Sequence, residues 1–165
     1  QELNPSFYLT LCRQLLFELA ETSNEMVSLK LDALEESRQE LPTEHQAAKI
    51  NMLADQGIAY FERFLRSFDR PDGTVPDKYP SDAVRPIVLA HFYIGRLQGK
   101  KMTADPREKL VNLAYALEHY RWIVKYCEVT DPLCQESVKD ELDACRDMAN
   151  LLPLKMARVQ ELIKT

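Results

Sequence analysis

The sequence predicts an all-α protein: antiparallel helical hairpins stacked side by side, five to six helices in a single domain over residues 1–165. Three observations predict it. The 165 residues include only 4 glycines, and no stretch alternates apolar and polar residues as a half-buried strand does. Apolar residues recur at helical spacing almost from end to end. The punctuation between these segments is that of helix starts, since Asn4-Pro5, Thr43-x-x-Gln46, Asp105-Pro106-Arg107-Glu108 and Asp131-Pro132 each combine a capping side chain with a first-turn proline or a capping-box partner.

Taken in order, the first helix is expected over residues 5–38. It carries two apolar sets: Tyr8, Leu11, Leu15, Leu19, Met26, Leu29 and Ala33 on one side, and Leu16, Ala20, Val27, Leu31 and Leu34 on another. The polar Thr22-Ser23-Asn24 interrupts this pattern without ending it, so a bend is expected there. Leu41-Pro42 stops the helix, and Thr43 with Gln46 opens a second one, running to about residue 68 with Ile50, Leu53, Gly57, Phe61, Phe64 and Phe68 inward. A connection this short makes the pair antiparallel neighbours. Residues 70–80, with three prolines and a glycine, form the one true loop.

Residues 84–128 organise the rest, as two antiparallel helices joined by a short linker. Pro86 is expected to keep the first turn of the earlier helix irregular until about Ile87. That helix ends near Gly99, where Lys100 and Lys101 complement its carboxyl end. In the later helix Leu110, Leu113, Leu117, Tyr120, Val124 and Cys127 recur at steps of three and four. A second stripe of Tyr115, His119, Trp122 and Tyr126 lies about 200° around the same helix. A helix that is apolar on two opposed faces has to be covered on both, so this is an inner helix of a stack. The last segment starts at Pro132 with Val138, Leu142, Cys145, Met148 and Ala149 inward. Leu151-Leu152-Pro153 is expected to break or kink it before a short final helix with Met156, Val159 and Ile163 inward.

Weak internal repetition points to a solenoid. Gly57-x-x-x-Phe61-x-x-Phe64 and Ala116-x-x-x-Tyr120-x-x-Ile123 resemble the second-helix signature of tetratricopeptide repeats, and Leu89-Ala90-x-x-Tyr93 resembles the first-helix signature. The spacing between the two second-helix matches is longer than the standard repeat, so the hairpins are elongated and degenerate.

No catalytic constellation emerges. The histidines show no zinc-binding pattern, and Cys127, Cys134 and Cys145 lack C-x-x-C spacing, which suits reduced, buried cytosolic thiols. Ser37, Ser67 and Ser137 have no nucleophile-elbow context, and no glycine-rich phosphate loop is present. The expectation is no enzyme, no cofactor and no metal. Tyr115, His119, Trp122 and Tyr126 are the candidate partner-binding strip; the structural alternative is that they form core between successive hairpins.

Charge is uneven within a net charge of −5. Residues 1–42 hold eight acids and three bases, whereas residues 83–127 hold three acids and eight bases. The basic centre is a mild signal for an acidic partner and equally suits solvated helix faces. A nucleic-acid module of this size is normally basic overall, so nucleic acid is not expected. No apolar run approaches the roughly 20 residues of a membrane span. With no initiator Met or signal pattern, Gln1 reads as the cut edge of a larger protein.

The run RPIVLAHFYIGRLQGKKMTADPREKLVNLAYALEHYRWIVKYCE resembles the C-terminal region of the kinesin-binding protein family. YFERFLRSF at 60–68, ELAETSNEMVSLKL at 18–31 and MANLLPLKMARV at 148–159 fit the same region in order. The resemblance implies a tetratricopeptide-like, non-catalytic regulator that binds kinesin motor domains and blocks their attachment to microtubules. It also implies a cytoplasmic, cytoskeleton-associated location, with this chain as the C-terminal fragment packed against N-terminal repeats of the same protein. The alternative is a structural scaffold or capping segment that makes no direct cargo contact. The two-sided first helix further predicts a homodimer of the isolated fragment.

Overall fold

The computed structural model describes residues 4–164. Five long helices make up the chain: α1 (Pro5–Glu36), α2 (Glu44–Arg66), α3 (Ser81–Lys100), α4 (Pro106–Lys125) and α5 (Lys139–Lys164). A π-helical turn (Tyr126–Thr130) and a 3-10 stretch (Pro132–Val138) join α4 to α5. Among the described residues there is no strand. Each helix packs chiefly on the next in sequence, with lighter contacts from α1 to α3 and from α3 to α5. The result is a stack of hairpins in the tetratricopeptide manner, and α4 is an inner helix covered by α3 on one side and α5 on the other.

The caps follow the sequence. Asn4 Oδ1 accepts from the Ser6 amide at 3.0 Å, starting α1. Thr43 and Gln46 close a full capping box at α2, with bonds of 3.1 and 2.8 Å. Asp105 Oδ1 accepts from the Arg107 amide at 2.9 Å, and Glu108 is held by the Thr103 hydroxyl.

Two expectations, at Pro86 and Asp131, need correction, while at Pro153 and at Thr22-Ser23-Asn24 the helix runs on. Pro86 lies inside α3, which is helical from Ser81 onward. The bond that Pro86 lacks is the one to the Asp82 carbonyl, in an exposed first turn where water can take its place. Pro153 likewise lies inside α5 without breaking it; buried Leu152 pins the helix to the core beside the proline, which outweighs the loss of one backbone bond. The last two segments are therefore one rod. Asp131 makes no side-chain cap bond, and the chain after it starts as 3-10 rather than α-helix. The polar Thr22-Ser23-Asn24 neither ends nor interrupts α1, and Ser23 is buried against α2.

Small residues set the spacing of the stack. Gly57 of α2 faces both neighbours: a Cβ there would lie 2.9 Å from Leu97 Cδ1 and 3.3 Å from Ser23 Cβ. At Gly95 of α3 a Cβ would lie 2.8 Å from the Tyr120 ring, so α4 approaches α3 as closely as a bare backbone permits. The α3–α4 linker is tied to α2 by Asn51, whose amide donates to the Met102 carbonyl and accepts from the Met102 amide, both at 2.7 Å.

Candidate interaction surface

The strip on α4 divides between interior and solvent. Tyr126 is buried, and its hydroxyl accepts a hydrogen bond from the Tyr79 amide at 3.0 Å, anchoring the end of the 70–80 loop. Trp122 is sandwiched, with its ring stacked on Tyr126 at 5.0 Å and on His91 of α3 at 3.8 Å. His119 completes the group, its Nδ1 lying 2.9 Å from Nδ1 of His91. Tyr115, at 51% exposure, is the most open of the four, while His119 and Trp122 are half-buried. Three of the four strip residues thus brace α3, α4 and the preceding loop, the placement expected of core between hairpins.

Burial pushes His91 well below the ordinary histidine range, with His119 beside it adding to the effect. Burial also lowers His119, against which the Glu118 carboxylate works. Both rings are accordingly neutral near pH 7, and the hydrogen bond between them uses one donor and one acceptor.

His91 as the partner of His119 left no local signal, although antiparallel register about the 101–105 linker brings residues near 91 opposite those near 119. The thiols of Cys127, Cys134 and Cys145 are buried, and burial pushes Cys145 up to about 12. They are not poised as nucleophiles. Among the described residues no group of three or more His, Cys, Asp or Glu is placed to hold a metal ion. No helix among them is long and apolar enough to cross a membrane.

The largest apolar surface lies on α1. The set containing Leu16, Ala20, Val27, Leu31 and Leu34 packs inward, whereas Tyr8, Leu11, Leu15, Leu19, Met26 and Leu29 all stand at least 40% exposed. One face of α1 thus meets the stack and the opposite face meets solvent.

Paired helices in register, with an outer apolar face left open, define an all-helical, repeat-like protein. The family model described as "KIF-1 binding protein C terminal" matches residues 1–159, and the chain belongs to that family. It is 42% identical over 160 residues to the KIF-binding protein of Xenopus tropicalis, covering 97% of this chain and 26% of the relative. Against the KIF-binding protein of Homo sapiens it is 41% identical over 157 residues, covering 95% and 25%. A solved structure titled "Kinesin binding protein (KBP)" matches with a TM-score of 0.55 at 38% identity, over 93% of this chain and 30% of that one. The chain spans about a quarter of the length of these curated relatives.

Proposed function

We propose that this chain is the C-terminal part of a non-catalytic regulator that binds kinesin motor domains and keeps them off microtubules. The observation that carries this is identity near 40%, over nearly the whole chain, to proteins named for binding KIF motors. Mutually exclusive binding needs only a surface that covers the motor's microtubule-facing side, so no reactive group is required, and a cytoplasmic, cytoskeleton-associated setting follows. Of the α4 strip, Tyr115 is the residue most accessible to a partner. The test is microtubule co-sedimentation of a kinesin motor domain with and without the full-length parent protein. Release of the motor into the supernatant supports the role; an unchanged pellet overturns it.

A second role, as a scaffold that supports the N-terminal repeats of the same protein, is favoured by the open apolar face of α1. On that account the isolated chain binds a motor domain far more weakly than the parent does. Calorimetry on both proteins separates the two roles.

A further inference from the structure

Between the carboxyl end of α3 and the face of α5 the surface opens into a cavity of about 380 Å³. Phe92, Leu113 and Met148 contribute an apolar floor, and Arg96, Lys100, Lys109 and Lys155 stand around it. No acidic residue lines it, although the chain as a whole carries a net charge of −5. Some surface cations elsewhere find carboxylates: Lys101 meets Asp55 at 3.0 Å, Arg146 meets Glu128 at 2.8 Å and Arg85 meets Glu141 at 3.4 Å. Among the described residues, none of the four cavity cations has a carboxylate within ion-pair distance.

What they have instead is weaker: the Arg96 guanidinium lies over the Phe92 ring at 5.8 Å from its centroid. Lys100 Nζ reaches Ser28 Oγ at 3.4 Å and Lys109 Nζ reaches the Gly99 carbonyl at 3.5 Å. The carboxyl end of α3 favours a nearby cation, which accounts for Lys100 and Lys109. It does not account for Lys155 on α5, and Arg96, a turn earlier on α3, lies over Phe92 instead. Burial and then Lys155 push Lys109 below the ordinary lysine range; burial and then Arg96 do the same to Lys100, which Asp32 offsets only from beyond ion-pair reach. Like charges gathered at a half-covered apolar site cost free energy in the free protein, and an anion seated among them recovers it.

We propose that this cavity is a docking site for an acidic peptide segment of a partner protein, its carboxylates among the four cations and an apolar side chain against Phe92 and Met148. The apolar floor decides for a peptide over a bare anion, which would leave that floor wet. The site needs no kinesin to be tested.

The probe is a fluorescein-labelled peptide with glutamates on both sides of a single phenylalanine, titrated with the chain by fluorescence anisotropy at low and at physiological salt. Counterparts with glutamine for glutamate, and with alanine for phenylalanine, should both bind more weakly. Lys155→Gln, and Lys109→Gln with Lys155→Gln, should weaken binding of the acidic peptide, the double variant by roughly tenfold or more. Lys125→Gln with Lys139→Gln, which removes the same charge outside the cavity, should leave binding unchanged. Lys155→Gln should melt at or above the parent temperature, because it relieves repulsion at an exposed side chain; the double variant also loses the Lys109 bond to the Gly99 carbonyl, and its helical signal checks that it folds. Equal loss in the cavity and control pairs overturns the proposal, as would indifference to the phenylalanine. Complete displacement of the peptide by millimolar inorganic phosphate also overturns it, since the site would then recognise a simple anion.

Discussion

His91 and His119 bring their Nδ1 atoms to 2.9 Å across the α3–α4 interface, so one imidazole donates a hydrogen and the other accepts it. A singly charged pair can still share one hydrogen between the two Nδ1 atoms, but protonating both rings sets two N–H donors against each other. Both rings are held below the ordinary histidine range, so the unfolded chain binds more protons than the folded one once pH falls below about 6.5. Their contribution to stability is therefore fully present above that pH and is lost as pH falls towards the folded values. Chemical denaturation at pH 7.5 and at steps down to pH 5 should show declining stability, and His91→Phe should flatten the decline. Trp122, the single tryptophan, stacks on His91 and reports the event directly. A Trp122 emission that stays constant over this range would show that the pair does not titrate as its geometry requires.

Two glycines on one helix should respond oppositely to the same substitution. Gly99→Ala meets nothing within 4 Å and has ordinary helical backbone, so it should stabilise by about 0.5 kcal/mol through helix propensity. Gly95→Ala places a methyl 2.8 Å from the buried Tyr120 ring and should destabilise by about 1–3 kcal/mol despite the same propensity gain. Urea midpoints of the two variants decide. If both rise, the close approach of α3 and α4 is not a constraint.

Leu117 tests the inner face of α4. It is 6% exposed, and Leu117→Ala should cost about 2–5 kcal/mol, the range for emptying a leucine site in a packed interior. Arg121, four residues on, is exposed, and Arg121→Ala should change stability by about 0.5 kcal/mol or less. Similar losses for the two would mean that α4 is not covered on the Leu117 side.

Much of this fold was legible because helix caps and apolar periodicity are local signals. The caps at Asn4, Thr43 and Asp105 formed as the sequence implied, and the Leu113, Leu117, Tyr120 face of α4 is buried as its spacing required. Pro86 misled, and Pro153 left five or six helices open, because a proline's local cost, about 3 kcal/mol, is smaller than the packing of residues around it, which no local pattern displays. The α4 strip was ambiguous for a different reason. Aromatic residues at helical spacing look alike whether they face a partner or a neighbouring helix. Only register across the hairpin, which puts His91 against Trp122 and Tyr79 against Tyr126, separates the two. The Asn51 clamp on Met102 joins residues far apart in sequence through backbone groups, and leaves no periodic trace.

The outer face of α1 carries the last prediction. Leu15 and Leu19 are 50% and 47% exposed, one turn apart in a stripe running from Tyr8 to Leu29. A contiguous apolar stripe of this length is costly in water and promotes association, so the isolated chain should form dimers whose population rises with concentration. Leu15→Glu with Leu19→Glu should return it to monomer in sedimentation velocity, with little loss of helical signal because neither side chain packs inward. Reductant must be present throughout, because Cys12 is exposed beside the stripe and could link copies covalently. In the full-length parent the same pair of substitutions should act differently. If preceding repeats cover this face there, the change puts charge into an interface, and the parent's melting temperature should drop while the isolated chain's does not. A monomeric wild-type chain at all concentrations sinks the dimer, and an unaffected parent sinks the scaffold role of α1.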